Sequence, residues 1–235
     1  MRQFGYLIID LGCLIIPFIA SFYSPRPFYK YWKAFFFSCS AVLIPFVIWD
    51  SIFTAQGIWG FNSDYLTGVH FLNLPIEEIL FFICIPYACV FTYFAFKYLF
   101  PNNPLGKVHK TITFIFLLIS LLFIIEGWDK LYTFYTGLFT FSMLIFCLWK
   151  KVNMGFLYFT YFSIIPFFIL SNGLLTGSLL ENPIVWYNDF ENLGIRIITI
   201  PIEDFIYALL LIALNIMLFD EFSRSTLNRD SNPTS

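Results

Sequence analysis

Charge is what this chain has least of. Asp, Glu, Lys and Arg make up 12% of its 235 residues, whereas 59% are hydrophobic and Phe alone occurs 33 times. Polar surface this scarce cannot cover a soluble globule, and that class is excluded. Histidine is nearly missing: His70 and His109 lie far apart and build no metal constellation, so no metal is expected. The five cysteines, Cys13, Cys39, Cys84, Cys89 and Cys147, fall in apolar runs without a C-x-x-C spacing and read as packing residues. There is no G-x-G-x-x-G or P-loop cradle, so no nucleotide or flavin cofactor is expected. Nor is there a basic, aromatic-interleaved stripe of the kind that binds nucleic acid.

What is present is apolar length. A helix crosses the hydrocarbon core with about 20 mostly apolar residues. Windows of that kind run from Phe4 to Tyr23, Ala34 to Phe53, Pro75 to Tyr98, Thr111 to Ile125, Leu131 to Trp149, Met154 to Leu170 and Thr199 to Phe219. The fourth is short. The first carries Asp10 and lacks an A-x-A cleavage site, so it counts as a helix rather than a signal peptide. The expected fold class is an all-α polytopic membrane protein with about seven transmembrane helices.

Lys and Arg set its orientation. Arg26, Lys30, Lys33, Lys97, Lys107, Lys110, Lys150, Lys151, Arg224 and Arg229 fall on the face that holds the C-terminus, and only Arg2, Lys130 and Arg196 on the other. The expectation is a multi-pass cell-membrane protein with its N-terminus outside and its C-terminus cytoplasmic.

The chain also repeats. An offset of about 121 to 126 residues superimposes helix one on five, two on six and three on seven, with Pro45 near Pro166, Asp50 near Asn172 and Trp59 near Trp186. Helix four is left over as a connector. It returns the chain across the membrane, so the second unit starts with the orientation of the first: two parallel three-helix repeats. The expected divisions are 1–100 for the first repeat, 101–130 for the connector, 131–222 for the second repeat and 223–235 for a disordered cytoplasmic tail.

One motif occurs in both repeats. Pro75, Ile76, Glu77 and Glu78 open the third helix, and Pro201, Ile202, Glu203 and Asp204 open the seventh. Pro and acids suit a helix start, where the dipole offers about 0.3–1 kcal/mol. A carboxylate below the interface costs about 2.5–3.5 kcal/mol, and that outweighs the dipole. Both motifs lie at one depth, so two to four carboxyls can converge on a single interhelical cavity. Successive helical residues diverge by about 100°, so one acid of each pair faces the cavity and the other the preceding loop. Those loops are polar and aromatic: Asp50 and Trp59 precede the first motif, and Asn172, Trp186, Tyr187, Asn188 and Arg196 the second. They are expected to form a lid. Arg196, seven residues before Glu203, is in a position to neutralise it.

The stretch with Trp186, Tyr187, Asn188, Gly194, Ile195 and Arg196, followed by Thr199 to Asp204, resembles the membrane-integral lycopene cyclases. The first repeat, with Trp49, Asp50, Gly57, Trp59 and Pro75 to Glu78, resembles them as well. That family carries P-x-E-[E/D] in each of two homologous units, separate or fused, and this chain looks like the fused form. The resemblance implies carotenoid biosynthesis: lycopene β-cyclase activity that closes the linear ψ ends of lycopene to β rings, first to γ-carotene and then to β-carotene. It is an isomerisation, classed as an intramolecular lyase, with no cofactor. It also admits cyclases of longer carotenoids that make ε or γ rings.

That chemistry gives the acids a purpose. A general acid protonates the terminal double bond, the next alkene captures the tertiary cation, and a base removes a ring proton. The acid has to be neutral at rest, and desolvation or a second carboxyl favours that form. Glu77 and Glu203 are the leading candidates, with Glu78 and Asp204 next. Trp186, Tyr187 and Tyr207 are the aromatics best placed to steady a cation. Asp50, Trp59, Asn172, Asn188 and Arg196 complete the expected substrate site. The expected partners are lycopene and membrane lipid, and a homo-oligomer is compatible with the sequence. The alternative class is a proton-coupled transporter or a lipid-binding protein. A transporter needs a polar path to the cytoplasm, whereas the inner halves of helices three and seven carry little beyond Tyr, Thr92 and Asn215.

Overall fold

The computed structural model of the chain describes residues 2–230. Among these residues there are seven long helices: α1 Gly5–Ala20, α2 Trp32–Ala55, α3 Ile76–Leu99, α4 His109–Glu126, α5 Leu131–Trp149, α6 Gly155–Leu175 and α7 Ile202–Asp230. Each supplies most or all of a span long and apolar enough to cross a bilayer, that of α7 ending at Arg224. Helices satisfy every backbone donor and acceptor within one segment, which an apolar solvent demands. The chain is an all-α integral membrane protein. One difference from expectation lies at its end: α7 continues through Ser223 to Asp230, where a disordered tail is expected, and 231–235 lie outside the described residues.

Six short strands interrupt the helices on one side of the bundle: β1 Trp59–Phe61, β2 His70–Phe71, β3 Leu74–Pro75, β4 Val185–Tyr187, β5 Arg196–Ile197 and β6 Ile200–Pro201. At two or three residues each, they are too short to show an alternation in sequence. Two form hairpins that lead into the acidic helices, β2–β3 before α3 and β5–β6 before α7. Their turns match: Leu72 and Ile198 both take positive φ, at 55° and 62°. For a β-branched residue such as Ile198 that conformation is strained.

The third pairing, β1 with β4, shows how the repeats are related. Gly60 faces Trp186, which is also the residue 126 positions further on, and Trp59↔Tyr187 maps onto Val185↔Phe61 by the same offset. The flanking bonds map likewise: Asn62 N–H donates to Ile184 O and Asn188 N–H to Ile58 O, both at 2.8 Å. A ladder carried onto itself by the repeat has a two-fold axis through its centre. The two three-helix units are therefore parallel, related by rotation about the bundle axis.

Packing follows the same symmetry. In the first unit α1 packs on α3, and in the second α5 packs on α7; α2 leans on α7 as α6 leans on α3, and α3 meets α7 at the axis. The connector α4 lies outside this arrangement, against α5 and α6. Phe116 stacks on Tyr158 at 5.7 Å, and the Thr113 and Tyr158 hydroxyls meet at 2.7 Å. The α4–α5 approach is close because Gly137 has no side chain: a Cβ there would sit 2.7 Å from Phe123 Cβ and 2.8 Å from Ser120 O. Neither contact can yield without moving α4. We expect Gly137→Ala to cost about 1–3 kcal/mol, measured as a lower unfolding midpoint in detergent.

Candidate active site

Both acidic motifs begin their helices, with Glu77 and Glu78 in the first turn of α3 and Glu203 and Asp204 in the first turn of α7. All four are buried. A buried carboxyl without partners is costly, so the donors around each one reveal its role.

Glu77 and Glu203 turn back towards the loops. Glu77 Oε1 accepts from Thr67 N–H at 2.7 Å, and Glu203 Oε1 accepts from Leu193 N–H at 2.8 Å and Thr133 Oγ1 at 2.7 Å. Each thereby ties the segment ten residues earlier to the top of its helix. Neither touches the cavity.

Glu78 and Asp204 face inwards. They line one cavity of 610 Å³ together with Asp50 and Asn172. Tyr6 of α1 donates its hydroxyl to Glu78 Oε2. Tyr132 of α5, in register with Tyr6, donates to Asp204 Oδ1 at 2.5 Å. The other Asp204 oxygen accepts from Asn172 Nδ2 at 2.7 Å and Tyr187 OH at 3.0 Å. The two centres then diverge. Where the second repeat sets the Asn172 amide against its acid, the first sets a second carboxyl: Asp50 lies within electrostatic reach of Glu78, and both line the cavity. Trp59 Nε1 donates to Asp50 Oδ1 at 2.5 Å, and Asp50 Oδ2 finds no donor among the described residues. Two neighbouring buried carboxyls disfavour the doubly charged state, so such a pair favours keeping one proton.

The two centres share one chamber. Tyr207 on α7 lies within electrostatic reach of Asp50, Glu78 and Asp204, and Tyr187 within reach of Glu78 and Asp204. Burial, reinforced by the neighbouring Asp204, pushes the Tyr187 hydroxyl well above the ordinary phenol range, so it remains a donor. Ring faces surround the acids: Trp59 edges Tyr132 at 5.1 Å, and Tyr132 stacks on Tyr187 at 5.8 Å. Further down the cavity is apolar, with Ile85, Ala88, Leu211 and Ile212 on its wall.

Of the residues expected from sequence, Asp50, Trp59, Asn172, Tyr187 and Tyr207 join Glu78 and Asp204 on this wall; Trp186, Asn188 and Arg196 do not. Trp186 lies over Gly60, where a Cβ would come within 2.3 Å of its ring. Asn188 is a turn residue whose Oδ1 accepts from Phe190 N–H. Arg196 pairs with Asp189 at 2.5 Å, not with Glu203, and caps Thr199 O. Partial burial works against the Asp189 charge, but hydrogen bonds from Arg196 and Asn192 prevail and hold its carboxyl below the usual range.

Sequence reasoning missed three partners. Tyr6 and Tyr132 stand at the repeat offset of 126, a signal hidden among 14 tyrosines. Asp10 of α1 is fully buried with neither oxygen partnered among the described residues, and it lies within electrostatic reach of Glu77.

Comparison with known proteins gives one match. The lycopene cyclase family model fits the chain twice, over residues 3–96 and 129–222, so its boundaries repeat at the offset that relates Tyr6 to Tyr132. No curated protein and no solved structure was found to match. The two matched segments cover most of the chain, each carries one acidic helix with its tyrosine, and the chain belongs to the lycopene cyclase family.

Proposed function

We propose that this chain is a lycopene β-cyclase, converting linear ψ end groups to β rings by proton-initiated cyclisation, an isomerisation of the intramolecular-lyase type. The observation that carries this reading is the convergence of Asp50, Glu78 and Asp204 on one cavity whose remaining wall is apolar and aromatic. An apolar polyene gains nothing from charged walls, but its reaction needs a proton where no water can quench a cation.

The roles follow from the donors. The Asp50–Glu78 pair holds one proton between two carboxyls and is the general acid. It delivers that proton to the terminal double bond, and the tertiary cation so formed is attacked by the neighbouring alkene to close the ring. Loss of a ring proton then restores a double bond. Asp204 is the base and cation partner, because three donors hold its oxygens in place facing the cavity, an arrangement that suits acceptance rather than donation. The faces of Trp59, Tyr132, Tyr187 and Tyr207 steady the cation in transit. The substrate gains one proton from the pair and loses one to Asp204, so its mass is unchanged, and a proton passing from Asp204 back to the pair resets the site for the next ring.

Glu77 and Glu203 give up first place in this assignment, since neither lines the cavity and their bonds run to the preceding loops and, for Glu203, to Thr133 of α5. The basic residues at one end of the bundle favour an inner C-terminus, and the partners are lycopene and the lipid that carries it.

Expression in a lycopene-accumulating bacterial host, with pigments separated by chromatography, tests the reaction. We expect a pigment of unchanged mass and shorter absorption wavelength. Glu78→Gln, Asp50→Asn and Asp204→Asn should each lower its yield by at least about a hundredfold at equal protein level, the scale of a lost general acid or base; full activity in all three would end the assignment. Glu77→Gln and Glu203→Gln keep an acceptor for the loop and should still turn over. Glu203→Ala removes it, and we expect faster limited proteolysis around Leu193 than in Glu203→Gln.

A further inference from the structure

The cavity does not close on itself. Along α3 it runs from Glu78 to Thr92, roughly 20 Å at the helical rise per residue. One side of that length is walled by residues that also face outwards. Ile8 and Ile16 on α1 are 60% and 73% exposed, and Phe167 and Leu170 on α6 are 72% and 62% exposed, yet all four line the cavity. Gly12 stands between the two α1 residues, and a Cβ built there would meet nothing within 4 Å. In a bilayer this opening faces acyl chains.

The symmetry provides an internal control. By the two-fold relation, the gap between α1 and α6 has a counterpart between α5 and α2. That counterpart is filled: Trp49 edges Phe139 at 5.0 Å, and Phe53 edges Tyr135 at 5.9 Å. At the offset of 126 set by Tyr6 and Tyr132, α1 carries Ile9 and Cys13 in place of Tyr135 and Phe139. Both line the open cavity. The same gap is thus filled by rings in one repeat and, in the other, spanned only by the small pair Cys13 and Ser171 beside the cavity.

We propose that the gap between α1 and α6 is a lateral portal through which the linear end of the polyene enters from the membrane, with Gly12 and Cys13 setting its width. The proposal rests on the cyclase reading above. It goes further in assigning a single route to both acid centres, so that an end group reaches Glu78 and Asp204 by one path. The two ends of a substrate therefore react in separate visits.

Two variants and one labelling experiment test it. Gly12→Phe sets a ring in open space, and the double variant Ile9→Tyr with Cys13→Phe transplants the plug of the other repeat. Each should lose about tenfold or more in cyclised pigment at equal protein level and unfolding midpoint, since apolar sites discriminate by that factor on a change of one methylene. Leu118→Phe, on the outer face of α4, should match the parent chain. In parallel, wild-type membranes are treated with a lipid-soluble maleimide with and without lycopene, and modified peptides are identified by mass spectrometry; we expect lycopene to slow modification of Cys13 several-fold. Wild-type rates in both portal variants, or Cys13 modification indifferent to lycopene, would overturn the portal. No cyclised pigment from the wild type, with Cys13 still protected by lycopene, would instead overturn the reaction and leave the portal standing.

Discussion

A carboxyl group buried among apolar helices needs a donor, and the tyrosine that supplies it organises this molecule. Tyr6 joins α1 to Glu78 on α3, and Tyr132 joins α5 to Asp204 on α7. Each bond lies at the chamber end of a helix pair held largely by packing, and packing alone gives little preference for one rotation of a helix over another in lipid. The bond fixes the phase: α3 and α7 turn so that the second acid of each motif faces inwards. The first acid then points to the loops, where Thr67 and Leu193 offer backbone N–H groups. The hairpins and the β1–β4 ladder sit above the chamber as a consequence.

Duplication explains why there are two such bonds, and divergence explains what each does. Thr133 supports Glu203, but the corresponding position beside Glu77 is Leu7. Asn172 faces Asp204 where Asp50 faces Glu78. An amide donates without carrying a removable proton, whereas a carboxyl brings one. Changing a single residue type thus turns two similar acid sites into one carboxyl held by donors and one set beside a second carboxyl. A fused chain can make such a change on one side only, and the aromatic filling of the α2–α5 gap is a change of the same kind.

Much of the architecture was legible because it depends on composition and spacing. Seven apolar windows, an offset near 126 and a four-residue motif in each half lead to parallel three-helix repeats, and the ladder through Gly60 and Trp186 has that symmetry. Other features depended on partners distant in sequence. Arg196 lies seven residues from both Asp189 and Glu203, and spacing could not choose between them; the β5–β6 hairpin turned its guanidinium towards Asp189. Trp186 and Tyr187 are neighbours in sequence, but an alternating strand sends Trp186 over Gly60 and Tyr187 to Asp204.

The sequence by itself determined the solvent, the number of crossings, the internal repeat and the presence of four acids at one depth, since each of these is a matter of local composition and periodicity. Only the tertiary structure decided which acid of each motif lines the cavity, that Asp50 lies beside Glu78, and that rings fill only one of two equivalent gaps. Those outcomes depend on helix rotation and on side chains more than 70 residues apart, as with Tyr6 and Glu78. Adjacent residues on a helix differ by about 100° in direction, and no spacing within a single segment reveals which of them a neighbouring helix will face.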